Sequence, residues 1–161
     1  KEEAELAVNS VKYPPDGFRG VGLARAQGYG VDFDEYMACA NRDGLLMLQI
    51  EHIDAVERID EILSVPGIDG TYIGPYDLSC SMGLPGKLDH PDVEAAKDRV
   101  LDATLQRGLA PGIHLVHPHM AKNELARHME QGFRFIALGT DILFLGDSAR
   151  EMHEEARRTL E

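Results

Sequence analysis

Four short apolar runs recur along the chain, Leu45 to Ile50, Gly70 to Ile73, Gly112 to Val116 and Phe133 to Leu138, each followed by a polar loop and a segment of helical periodicity. The strand starts they imply, near residues 45, 69, 110 and 133, lie about 24, 41 and 23 residues apart. This spacing is that of a βα repeat with one enlarged unit. The runs are continuous rather than alternating, which suits strands of a parallel sheet covered on both faces. The expected fold class is therefore α/β.

Between the first two runs, Ala55, Val56, Ile59, Ile62 and Leu63 predict a helix closed by Pro66-Gly67. Asp92 to Arg107 predicts a second, with Val93, Ala96 and Val100 on one face, and Met120, Leu125 and Met129, ended by Gly132, a third. Ser148 and Glu151 have capping-box spacing ahead of Met152, Ala156 and Leu160, which predicts a final helix beginning there. Glu2 to Val11 also reads as helix. Lys12 to Gly20 holds two prolines and two glycines in nine residues. It reads either as a linker or as a stiff loop near a site, with Tyr13 and Arg19 as recognition side chains.

At 161 residues the chain holds one domain, 1–161. It falls short of the roughly 250 residues of a complete eight-stranded (β/α) barrel. It opens at Lys1 without an initiating Met, inside a charged run, and reads as a piece of something longer. Its 28 acidic and 16 basic side chains give a formal charge of −12, which disfavours nucleic acid and anionic membrane surfaces as partners. No run has the length of a membrane span and no signal pattern opens the chain, so a cytoplasmic location is expected. Cys39 and Cys80 read as reduced thiols. Dinucleotide-binding, Walker and nucleophile-elbow motifs are absent, which leaves nucleotide binding and serine hydrolysis without support.

The unit enlarged after the second run, Gly74 to Pro91, lies where parallel sheets and barrels build ligand sites, at the carboxyl end of a strand. Gln49 and Glu51 close the first run two residues apart, on one side of a strand. Gly74-Pro75-Tyr76-Asp77 closes the second. Adjacent parallel strands lie about 4.8 Å apart, so Glu51 and Asp77 can share a hard divalent cation such as Mg²⁺ or Mn²⁺. The structural alternative makes Glu51 a carboxylate at a helix N-terminus and Asp77 a cap on the turn after Pro75. Gly74-Pro75 also leaves amides pointing toward a small carboxylate. His114 lies within the third strand and His117 and His119 flank Pro118 in the loop that follows; the three could bind a metal, but read more readily as a surface loop with one ring packed on a rim, and His52 as a neighbour of the site on the opposite side of the strand.

Taken in order, Tyr13 to Gly20, Gln49-Ile50-Glu51, Gly67 to Ser79, Met82-Gly83 and His90-Pro91 resemble the HpcH/HpaI aldolase family over nearly the whole chain. The resemblance implies a TIM (β/α)8 barrel of the phosphoenolpyruvate/pyruvate type, of which only about the last four βα units are present. It implies a metal-dependent aldolase cleaving a 2-keto-3-deoxy sugar acid or a hydroxy-keto diacid to pyruvate and an aldehyde, in a homo-oligomer, usually a hexamer. In this reading Glu51 and Asp77 hold Mg²⁺ or Mn²⁺, with Co²⁺ possible. Gln49, Tyr76 through its backbone, and Asp77 contact the pyruvate moiety. The family's acid/base histidine and substrate arginine are expected upstream, so no catalytic residue is assigned within the chain, and neither His114, His117 nor Arg19 takes their place. Citrate-lyase-type or phosphoenolpyruvate-using carbon–carbon lyases, and a half-barrel that is not catalytic alone, are the alternatives.

Overall fold

Residues 1–160 are described by a computed structural model. The four apolar runs form four parallel strands, β1 (Met47–Ile50), β2 (Gly70–Ile73), β3 (Ala110–Leu115) and β4 (Phe135–Leu138), hydrogen-bonded in chain order. The register aligns Ile50, Ile73, Ile113 and Ile136 across the sheet. The strand backbone sets these isoleucines on one face, where they join the core with Leu115 and the helices that pack there. That outer face is covered by α3 (Ile53–Glu57), α4 (Ile59–Ile62), α6 (Pro91–Gln106) and α7 (Pro118–Gln131), whose Val56, Ile59, Val100 and Leu101 are buried against it. Between β2 and α6 the buried hydroxyls of Thr71 and Thr104 meet at 2.9 Å.

The coverage differs from expectation on one side. Within this chain the helices cover a single face of the parallel sheet. The other face carries Gln49, Tyr72, Gly112, His114 and Phe135, so polar, aromatic and glycine positions alternate with the isoleucines inside runs that read as continuously apolar.

The helix predicted between the first two strands is two short pieces, α3 and α4, broken at Arg58 (φ −102°, ψ 18°), and Val56, Ile59 and Leu63 all still enter the core. The last helix, α8 (Asp141–Leu160), starts seven residues before Ser148. Gly139, at φ 73°, turns the chain directly after β4, so the helix forms at once from Thr140 and Ser148 lies inside it. A further helix, α2 (Phe33–Asp43), occupies a segment with no sequence assignment, and α5 (Pro75–Ser81) lies inside the enlarged loop.

The proline segment is a structured loop. It follows α1 (Glu2–Val11), buries Tyr13 at 3% exposure and is tied to α2 through Asn41. The Asn41 amide accepts from the Tyr13 N–H at 2.7 Å and donates to the Tyr13 carbonyl and the Asp16 carboxylate at 2.9 Å each. Arg19 lies 4.7 Å above the Tyr13 ring centre. Because the end of α2 leads into the start of β1, this clamp sits at the amino side of the sheet, away from the strand ends considered below. Among the described residues no helix is long and apolar enough to cross a membrane.

Candidate active site

At the carboxyl end of the sheet the two faces of each strand carry different chemistry. On the inner face Gln49, Tyr72, Gly112 and Phe135 share one transverse row, from their paired positions. Two residues further, Glu51, Gly74, His114 and Ala137 form the next, the ladder continuing through the Gly74 N–H to the Ile50 carbonyl. Large side chains thus alternate with glycines. Tyr72 packs edge-on to Phe135 at 5.7 Å across Gly112 and stacks with His114 at 6.1 Å between ring centres. Burial pushes the pKa of its phenol up.

Gln49 and Glu51 come together as their spacing predicts, with the Gln49 amide donating to Glu51 Oε2 at 2.6 Å. Glu51 lies one residue before the N-cap of α3, beside a helix start as well as at a strand end. The residue that caps α3 is His52, whose Nδ1 accepts from the Asp54 N–H at 3.2 Å, so His52 is occupied with the helix start instead of projecting from a strand. Gly74 lies against this pair: a Cβ built there would stand 2.9 Å from Glu51 Oε2 and 3.3 Å from Gln49 Nε2. A glycine is what this close approach permits.

Asp77 projects from the first turn of α5, exposed, with Pro75 at the first helical position. No side chain caps this helix, so the amides of its first turn, Tyr76 among them, have no intrahelical carbonyl to meet. Among the described residues no three His, Cys, Asp or Glu side chains gather closely enough to hold a metal ion by themselves.

The three histidines separate into two settings. His117 and His119, at the start of α7, stack at 5.2 Å, and His117 faces Tyr76 at 6.3 Å. His114 belongs to the inner face of the sheet, and its Nε2 lies 3.2 Å from the Gly139 carbonyl oxygen. The sequence places His114 within a strand, as found, but leaves its inner position, and that of Tyr72, unassigned. The signal available was the alternation of His114 with the buried Ile113 and Leu115.

A family model described as HpcH/HpaI aldolase/citrate lyase matches residues 1–146. The chain is 40% identical over 153 residues to a 4-hydroxy-2-oxo-heptane-1,7-dioate aldolase of Klebsiella pneumoniae subsp. pneumoniae, a match that takes in 94% of this chain and 56% of the relative, so the chain spans about half that protein's length. It superposes with a TM-score of 0.83 and 34% identity on the crystal structure of an HpcH/HpaI aldolase/citrate lyase family protein from Burkholderia cenocepacia J2315, over 97% of this chain and 61% of that one. An HpcH/HpaI aldolase from Desulfitobacterium hafniense DCB-2 gives a TM-score of 0.81 at 29% identity, over 96% of this chain and 60% of that one.

Proposed function

The chain belongs to the HpcH/HpaI aldolase/citrate lyase family, and we propose that the complete protein is a divalent-metal-dependent aldolase, a carbon–carbon lyase that releases pyruvate from a 4-hydroxy-2-oxo acid. The observation that carries this reading is the Gln49–Glu51 pair set against the bare Cα of Gly74, at the ends of two adjacent parallel strands. Glu51 and Asp77 are the proposed metal ligands. Gln49, Asp77 and the backbone at Tyr76 are the proposed pyruvate contacts.

Two carboxylates are hard oxygen donors that fit Mg²⁺ or Mn²⁺, with Co²⁺ compatible, and two protein ligands leave positions for water and substrate oxygens. When bound, the ion would supply Lewis-acid stabilisation of the charge that develops on the 2-oxo oxygen as the C3–C4 bond breaks. The chain's own groups prepare the place. The Gln49 amide fixes one Glu51 oxygen, which sets the rotamer of the carboxylate, and Gly74 keeps the space beside it open. The unpartnered amides at the start of α5 face an anionic carboxylate favourably. The acid/base histidine and the pyruvate-pairing arginine are assigned to barrel units other than these four.

The same proposal treats residues 1–161 as one domain that forms part of a (β/α)8 barrel. Parallel sheets are ordinarily covered on both faces, and here the inner one is open. A groove of mixed lining, with Leu48, Ile50 and Ala55 beside the charged Lys1, Asp54 and Arg58, runs beside the free edge of β1, where a preceding strand would pair. By family resemblance the protein works as a homo-oligomer, a hexamer.

The test is pyruvate release from a 4-hydroxy-2-oxo diacid and from a 2-keto-3-deoxy sugar acid, before and after chelation. Loss of turnover on chelation and its return with Mn²⁺ or Mg²⁺ are expected; turnover indifferent to the chelator would sink the metal assignment. The family description also names citrate lyase. Cleavage of citrate with neither of these substrates turned over would favour that branch.

A further inference from the structure

We propose that Ser81 is a positioning residue of the metal site: its hydroxyl ties the segment that carries Asp77 to the segment that carries Glu51, and so fixes the two carboxylates relative to each other. This deepens the metal-dependent reading above and rests on it. At the carboxyl ends of β1 and β2 the backbone ladder closes with the Gly74 N–H donating to the Ile50 carbonyl at 3.2 Å. Both proposed ligands lie beyond that bond, Glu51 on the turn into α3 and Asp77 in α5. These helices are five and seven residues long. Helices so short are not stable by themselves, and their placement depends on what ties them to their surroundings.

Packing supplies part of the tie. Leu78 of α5 is fully buried, and Ile53 of α3 packs against the same core. Apolar contact is non-directional, however, and tolerates sliding. The directional tie is Ser81. The Ile53 N–H, which has no intrahelical carbonyl to meet at the start of α3, donates to Ser81 Oγ at 3.0 Å. Ser81 Oγ donates in turn to the Leu78 carbonyl at 2.7 Å. An amide N–H only donates and a carbonyl only accepts, so both directions are fixed and the one hydroxyl proton is used. Among the described residues this is the one hydrogen bond between residues 51–57 and 75–81. Its place gives it a role at the site: Ser81 follows Asp77 by four residues, on the same side of α5, and Ile53 follows Glu51 by two. Gln49 fixes the Glu51 carboxylate within its own segment, and Ser81 fixes that segment against the helix of Asp77.

The experiment titrates the complete, metal-stripped protein with Mn²⁺ in the absence of substrate, reading the free ion by electron paramagnetic resonance, and then competes Mn²⁺ with Mg²⁺ and with Ca²⁺. In Ser81→Ala the Mn²⁺ dissociation constant should rise on the order of 10-fold. Mg²⁺ demands near-ideal octahedral geometry and Ca²⁺ does not, so Mg²⁺ should lose more affinity than Ca²⁺. Ser81→Thr, which keeps the hydroxyl, should recover most of the loss. Thr71→Val removes a buried hydroxyl from the outer face; it should lower the melting temperature and leave the ions bound as in the wild type, which separates positioning from a general loss of stability. Unchanged affinities or equal losses of Mg²⁺ and Ca²⁺ in Ser81→Ala, an equal weakening in Thr71→Val, or no recovery in Ser81→Thr overturns the assignment. A wild type that binds no Mn²⁺, or binding indifferent to Asp77→Ala, would instead remove the metal reading beneath it.

Discussion

The outer face of the sheet holds Ile73 at 0% exposure and Ile113 at 2%, closed over by α6 and its neighbours. The inner face of the same strands places Gln49 and Phe135 in the open, with Tyr72 and His114 half-buried between glycines. One backbone thus presents two surfaces through its two-residue alternation: one is filled for stability and the other left open for chemistry. The division is a claim about energy, since substitutions on one face should lower stability and those on the other should lower turnover.

The largest separation is expected at Asp77. Lewis-acid stabilisation contributes several kcal/mol to a transition state, so Asp77→Ala should reduce kcat/KM for pyruvate release by on the order of 1,000-fold. Because Asp77 is exposed, the melting temperature should hardly move. Steady-state kinetics beside a thermal melt checks both, and a large loss of stability would break the division. Ile73→Ala is the reverse case. It empties a fully buried site between β1 and β3, and equilibrium denaturation should show a loss of about 2–5 kcal/mol, with activity per folded molecule kept.

Gly74→Ala probes the seam between the two surfaces. Its new Cβ would meet Glu51 Oε2 at 2.9 Å and Glu51 Cβ at 3.2 Å, so the carboxylate has to move. The glycine's φ is −95°, open to alanine, so backbone strain adds little. Misplacement of a catalytic group by about 1 Å costs as much as 100-fold, and a loss between 10- and 100-fold in kcat/KM is expected at nearly unchanged stability. Wild-type kinetics in this variant would show that Glu51 does not need its observed position.

How much of this was legible in the sequence follows from the same alternation. Strands declare themselves through β-branched runs, and the two-residue spacing of Gln49 and Glu51 places both on one side. Spacing does not say which side is the interior, so although His114 reads as a strand residue, its place beside Tyr72 on the inner face was not legible. In α2 the stripe Phe33, Tyr36, Met37 and Ala40 has helical spacing, but it lies among charged residues and none of the four is fully buried, so its signal is weak. The start of α8 was obscured for another reason: a capping pattern at Ser148 and Glu151 competes with a turn that the positive φ of Gly139 makes eight residues earlier, near Thr140. Local patterns report local energies, and the turn after β4 is set by where the strand ends.

The smallest effect belongs to the buried threonine pair between β2 and α6, where it tests whether that contact is held only by apolar burial. The Thr104 hydroxyl donates to the Val100 carbonyl at 2.7 Å. Its single proton is thereby committed, so at the 2.9 Å contact Thr71 must be the donor and Thr104 the acceptor. The two deletions are therefore unequal. Thr71→Val leaves Thr104 with its donor satisfied and only a lone pair unmet, at a cost of about 1 kcal/mol. Thr104→Val leaves the Thr71 O–H buried without that acceptor, at about 1–3 kcal/mol, unless its own strand offers another. The double variant removes both hydroxyls and should cost less than the sum of the two. Denaturant melts of the three variants measure the coupling, and strictly additive losses would mean that the hydroxyls contribute separately and that apolar contact alone joins β2 to α6.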